Sequence, residues 1–175
     1  MIPTIFRTTA AAAVGLAVLA GAAAAQESSN VIASEGDWTA FRADSPKECW
    51  AVSPPKKSVN TRDGKPVEVS RGDIRLYVAY RPGQAGEISF TGGYPFATGS
   101  TVDVAIGGST FKLFTEGESA WTGSPDDDAK VIAAMRAGSQ AVVTGRSGRG
   151  TTTVDTFSLA GVTKATNAAK EACAN

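Results

Sequence analysis

The sequence predicts an all-β protein: short antiparallel strands packed as a sandwich or barrel, with one or two short helices. Three observations predict it. Alternating apolar and polar residues recur in short runs, as in Ile74-Arg75-Leu76-Tyr77-Val78-Ala79-Tyr80 and Val102-Asp103-Val104-Ala105-Ile106. Tight turn signals separate the runs, and Gly107-Gly108 is a two-residue hairpin signal because both residues tolerate positive φ. Only two segments carry helical spacing, so most strand connections are turns, which places neighbouring strands antiparallel.

The chain opens on a segment outside the fold. Arg7 is the only charge before an apolar run from Ala10 to about Ala20, and Ala23-Ala24-Ala25 supplies small residues at a cleavage site. Residues 1–25 therefore read as a secretory signal peptide, cleaved before Gln26. The run is too short and too alanine-rich for a membrane span, which predicts no transmembrane segment in the mature chain. Residues 26–36 are polar and read as a flexible N-terminal arm, and residues 37–175 as a single domain.

Trp38 to Phe41 and Cys49 to Val52 are the first strand candidates, separated by an Asp44-Ser45-Pro46 turn. Ser53 to Pro66 contains Pro54, Pro55, Pro66 and Asp63-Gly64 among several basic residues, and reads as a long exposed loop. The strand from Ile74 to Tyr80 points Ile74, Leu76, Val78 and Tyr80 one way. Arg81-Pro82-Gly83 turns it towards Glu87 to Phe90, and Gly92-Gly93-Tyr94-Pro95 breaks the pattern again, in a tight turn where a cis Tyr94–Pro95 bond is one option. Val102 to Ile106 and Ser109 to Phe114 form a hairpin, and Glu118 to Trp121 is a short strand.

A helix follows with clear ends. Ser124 suits the N-cap and Pro125 the first helical position. Asp126, Asp127 and Asp128 complement the helix dipole, and Val131, Ile132 and Met135 share a face. Gly138 can end the helix in the left-handed conformation. Gln140 to Arg146 and Thr151 to Leu159 form the last hairpin, and Val162, Ala165, Ala169 and Ala172 suggest a closing helix.

Composition excludes whole function classes. Seventeen basic residues balance seventeen acidic ones, which predicts no nucleic-acid partner and no polybasic membrane anchor. There is no histidine, hence no Ser-His-Asp triad, Cys-His pair or ordinary zinc hydrolase site. No spacing supports a carboxylate pair either, so the chain reads as a non-enzyme with no catalytic, cofactor-binding or metal-ligating residues and no cofactor. Cys49 and Cys173 are the two cysteines; in an oxidising compartment they suggest a disulfide, the alternative being two buried thiols.

A few residues carry a binding reading. Arg146-Ser147-Gly148-Arg149-Gly150 can offer backbone N–H groups and two guanidiniums to an anion, or be a plain glycine turn. Tyr94 is a contact residue if it faces solvent, so Tyr94, Arg146 and Arg149 form the candidate binding surface. Arg71-Gly72-Asp73 matches an adhesion tripeptide, but a strand-entry turn needs such residues anyway. Three consecutive carboxylates at Asp126 to Asp128 lack the ligand spacing of a calcium loop. Trp38, Trp50 and Trp121 fit the core, or stacking against a ligand.

Taken in order, these pieces resemble the invasion-associated locus B family of bacterial envelope proteins. The resemblance is carried by the signal peptide, Trp38, Cys49-Trp50, Gly93-Tyr94-Pro95, Ala120-Trp121 and Met135-Arg136-Ala137-Gly138. It continues through Arg149-Gly150-Thr151, Asp155-Thr156-Phe157-Ser158-Leu159, Gly161-Val162-Thr163-Lys164-Ala165 and Cys173. Val162 departs from the aromatic expected at that position. The resemblance implies an exported protein with an immunoglobulin-like antiparallel β-sandwich and no carried-over catalytic residues; the family is named for bacterial entry into host cells. The expected function is periplasmic or secreted binding of a protein or envelope component through the loops Ser53–Pro66 and Tyr94–Ser100. The alternative is a small-ligand or polysaccharide-binding module, which an open apolar pocket lined by Trp50 or Trp121 would favour.

Overall fold

The computed structural model of the protein describes residues 30–174. Twelve strands and two helices follow in order: β1 (Val31–Glu35), β2 (Trp38–Asp44), β3 (Lys47–Ser53), β4 (Lys57–Arg62), β5 (Lys65–Pro66), β6 (Arg75–Tyr80) and β7 (Glu87–Thr91). Then come β8 (Thr101–Ile106), β9 (Ser109–Glu116), β10 (Ser119–Trp121), α1 (Pro125–Ala137), β11 (Gln140–Arg146), β12 (Thr152–Ser158) and α2 (Val162–Cys173). The strands form one antiparallel ladder, β1-β2-β3-β6-β7-β10-β9-β8-β11-β12-β4-β5. The ladder bends so that its two halves face each other. Phe90 on β7 meets Phe157 on β12 edge-on at 6.1 Å, although β10, β9, β8 and β11 lie between them in the ladder. Trp38 on β2 closes the same gap, its Nε1 donating to the Ser158 carbonyl at 2.9 Å. This is the predicted all-β sandwich with two helices.

Alternation decides which side chains fill the space between the halves. On β6 Leu76, Val78 and Tyr80 are buried, and on β8 Val102, Val104 and Ile106. Each strand thus lends one face to a core that also holds Ile88, Phe90, Leu113, Val143 and Phe157.

Helix α1 begins as the sequence predicts: Ser124 Oγ accepts from the Asp127 N–H, and Val131 and Met135 are buried. Asp128 does more than complement the dipole. It is buried, and its carboxylate accepts from the Ile88 N–H at 2.7 Å and from the Thr122 hydroxyl, which fixes the helix to β7. Gly138 differs from expectation, since its φ of −91° is not left-handed. Glycine is needed there for space: a Cβ would sit 2.7 Å from Ile106 Cγ2. Gly161 is the left-handed cap, at φ +93°, opening α2, and a Cβ there would overlap the Glu35 carbonyl.

Helix α2 buries Val162, Ala165, Thr166, Ala169 and Cys173, while Ala172 is only half-buried. Small residues on that stripe let it approach β2 and β3 closely, beside Ala40, Cys49 and Ala51. Cys173, its last residue, is bonded to Cys49 on β3, with Cα atoms 5.8 Å apart and a sequence separation of 124. The disulfide predicted from the cysteine count is thus present, and it ties the end of the chain to an early strand.

Two segments differ from the sequence reading. The expected arm of residues 26–36 contains β1, which pairs with β2 from Val31↔Phe41 to Glu35↔Trp38. The open edge of β2 supplies hydrogen-bond partners that a polar sequence does not advertise. Residues 26–29, like the expected signal peptide 1–25, lie outside the described residues. The expected loop Ser53–Pro66 contains β4, which pairs with β12 from Thr61↔Thr152 to Lys57↔Thr156, and β5. Its prolines do not oppose this. Pro54 and Pro55 precede the strand, and Pro66 lies on the outermost strand of the ladder. Asp63 and Gly64, at φ 51° and 74°, make the hairpin turn between β4 and β5. The cis X-Pro bond among the described residues is Ser45–Pro46, so Tyr94–Pro95 is trans.

Candidate functional site

Asp155 occupies an inward position of β12, between Thr153 and Phe157, and is fully buried. A buried carboxylate needs a cation and hydrogen bonds. Arg71, in the segment between β5 and β6, supplies both. Its Nη1 and Nη2 donate to the two carboxylate oxygens at 2.8 and 2.7 Å, in a bidentate pair with side chains 6% and 0% exposed. Arg71 also donates to the Gly92 carbonyl at 3.0 and 2.8 Å and to Asn60 Oδ1 at 3.3 Å, and Ser58 Oγ donates to Asp155 at 2.6 Å. One ion pair thus joins β4, β12, the segment before β6 and the turn after β7. Arg71-Gly72-Asp73 is therefore not a presented adhesion tripeptide, because its guanidinium is consumed inside the fold.

The guanidinium also lies over the Tyr94 ring, 5.0 Å from its centroid. The Tyr94 hydroxyl shares a 2.6 Å hydrogen bond with Thr153 Oγ1, and burial pushes its phenol above the ordinary value, partly offset by that bond and by Arg71. Above this floor opens a cleft of about 580 Å³. Arg62 and Arg149 line it with Glu68 and Glu118, around Tyr94 and Pro95. Arg62 is held by a 2.8 Å bond to Thr151 Oγ1. The cleft therefore offers both signs of charge, hydroxyls and one aromatic face, suited to holding an extended polar ligand.

Of the candidate surface Tyr94, Arg146 and Arg149, the structure brings Tyr94 and Arg149 to this cleft, and Arg146 is an exposed end residue of β11 that does not line it. Of the two readings of Arg146 to Gly150, the structure shows the glycine turn. The Ser147 N–H donates to the Thr151 carbonyl, Gly148 to the Pro95 carbonyl and Gly150 to the Ser147 carbonyl, so these donors are spent on the turn. The Tyr94–Ser100 loop is likewise anchored, with Phe96 buried against Tyr94 and Phe90. Sequence reading missed Arg62, Glu68, Arg71 and Glu118. One signal was present: the inward charge of Asp155 in an alternating strand demands a cationic partner.

The tryptophans divide. Trp38 is core, at 1% exposure. Trp50 and Trp121 are half-buried on the outer face of the ladder and line a second, shallow hollow of about 310 Å³ with Tyr77, Ala79 and Ser89. This hollow lies on the outer face of the ladder and not between its two halves. No group of three His, Cys, Asp or Glu side chains able to hold a metal occurs among the described residues. No helix among them is long and apolar enough to cross a membrane.

Fold and surface together define a class: an antiparallel β-sandwich whose last helix is bonded back to an early strand, with hollows built from turns and strand faces. Within that class the chain belongs to the invasion associated locus B (IalB) protein family, whose model matches residues 39–170. The crystal structure of invasion associated protein B from Bartonella henselae is similar, with a TM-score of 0.53 over 77% of this chain and 92% of that one. At 15% identity, that similarity concerns the fold. A search of curated proteins gives no match.

Proposed function

We propose that this is an exported, non-enzymatic binding module that holds a protein or another envelope component in the cleft beside Tyr94 and Arg149. The observation that carries the proposal is the cleft itself. Its floor is made rigid by the Arg71–Asp155 pair, and its walls set Arg62 and Arg149 against Glu68 and Glu118. Such a surface recognises a partner by complementary charge and hydrogen bonds without enclosing it. Export is supported by Arg7 with the apolar run after it, and by the Cys49–Cys173 bond, of a kind that persists in oxidising compartments such as the periplasm.

Crosslinking in intact cells, with mass-spectrometric identification of what the mature protein touches, tests the proposal. Arg149 and Glu68 are exposed, so Arg149→Glu and Glu68→Lys should leave the fold intact. Each should weaken capture of the same partner by about tenfold or more, as expected for loss of one charged contact and gain of a repulsive one. Equal capture by wild type and both variants would exclude the cleft.

A further inference from the structure

The outer face of the strands β3, β6, β7 and β10 carries a second arrangement. Because adjacent residues on a strand face opposite ways, Trp50, Tyr77, Ala79, Glu87, Ser89 and Trp121 all point away from the core. The register sets them in two rows. One row runs Phe41, Trp50, Ala79, Glu87 across β2, β3, β6 and β7. The next runs Tyr77, Ser89, Trp121, Phe114 across β6, β7, β10 and β9. Trp50 is stacked on Phe41, with ring centroids 5.7 Å apart and planes at 14°, and Trp121 leans on Phe114 at 5.8 Å. Each indole is thus held by an aromatic neighbour and forms one wall of the hollow. Ala79 and Ser89, two small side chains, lie between the walls. Neither helix contributes to the lining.

At one end two carboxylates share one guanidinium, which leaves that rim net negative. Arg81 bridges Glu48 at 2.6 Å and Glu87 at 3.2 Å. The hollow therefore offers no unpaired cation to an anionic ligand, while leaving carboxylate and guanidinium edges free to bond hydroxyls. Three strand spacings separate β3 from β10, about 14 Å, which is more than a single six-membered ring can bridge. Flat apolar walls, a narrow floor of small residues and a polar rim with no unpaired cation match the two faces of a sugar chain, whose C–H surfaces stack on indole and whose hydroxyls point sideways.

We propose that this face is a binding site for an uncharged linear oligosaccharide, lying across β6 and β7 and stacking on Trp50 at one end and Trp121 at the other. The site is distinct from the cleft beside Tyr94 and does not depend on it.

Fluorescence and calorimetric titration of the mature protein with cellohexaose, chitohexaose and maltohexaose tests this, with glucose as the single-ring control. Trp38 is buried and hydrogen-bonded, so any ligand-induced change in emission comes from Trp50 and Trp121. At least one hexaose should give a saturable change in emission with matching heat, and glucose none. Trp50→Ala and Trp121→Ala, both on the outer face, should melt near the wild-type temperature. Each should weaken binding by about tenfold, the loss expected for one stacking contact. No response to any hexaose at millimolar concentration would overturn the proposal, as would unchanged affinity in both variants. A concentration-dependent dimer abolished by Trp121→Ala would also overturn it, assigning the face to a second copy of the chain.

Discussion

Replacing Asp155 by alanine removes the acceptor of two Arg71 hydrogen bonds and of the Ser58 hydroxyl, and leaves a guanidinium that is 6% exposed over the Tyr94 ring, with only the Gly92 carbonyl and Asn60 as hydrogen-bond partners. Breaking a buried pair on one side costs about 3–5 kcal/mol, because an uncompensated charge stays inside the protein. Against a total stability of roughly 5–15 kcal/mol, that is a large fraction. For a chain of this size the melting temperature should fall by roughly 6–20 °C. The assay is urea unfolding of the oxidised protein, with the midpoint read at constant slope. Arg71→Met and the double variant Arg71→Met with Asp155→Leu complete the set. The double variant should recover most of the loss, since it removes both buried charges together. A cost below about 1 kcal/mol for Asp155→Ala, or losses that simply add in the double variant, would refute the account of the pair as a coupled buried unit.

Two further outcomes follow from the geometry. The Cys49–Cys173 bond closes a separation of 124 residues, for which the chain-entropy account gives roughly 5 kcal/mol of destabilisation of the unfolded state. Reductant, or the variant Cys49→Ala with Cys173→Ala, should therefore lower the unfolding midpoint and loosen α2 first in hydrogen exchange; equal stability with and without reductant would show the bond to be idle. Tyr77, Tyr80 and Tyr94 all have phenols raised above the ordinary value of 10.0, with burial the leading cause in each. The folded state therefore holds these protons more tightly than the unfolded chain. The tyrosine contribution to stability should be constant below about pH 10 and should be lost as pH rises from there through the raised values. Phenolate absorbance should show no tyrosine titrating at its ordinary value while the fold is intact, and one that did would contradict its burial.

The strand pattern was legible where one face is buried. Leu76, Val78 and Tyr80 alternate with Arg75, Tyr77 and Ala79 because that strand has a core side and a solvent side, and the burial follows the alternation residue by residue. The cap at Ser124 and the turn at Gly107-Gly108 were equally legible, since each is decided within about four residues. β4 was not. Lys57 to Arg62 has no buried residue, so its strand state rests on pairing with β12, far along the chain, and its Asp63-Gly64 hairpin signal was read as part of a loop. β1 likewise has no buried residue, and its strand state rests on pairing with the neighbouring β2. Tyr94 and Arg149 were singled out and do meet at one cleft, but Arg71 and Asp155, which build its floor, are 84 residues apart and carry no local mark of each other.

The amino-acid sequence by itself determined the antiparallel β class, the bounds of α1, the apolar faces of the central strands and the cysteine pair available for oxidation. These rest on propensity, periodicity and turn chemistry, which act between near neighbours. Only the tertiary structure decided the bend of the single ladder, the Arg71–Asp155 pair, the Gly148 N–H bond to the Pro95 carbonyl and the alignment of Trp50 with Trp121 on one outer face. Each of those depends on the register between strands distant in the chain. A register is fixed by closing the whole core at once, and no short stretch of residues carries it.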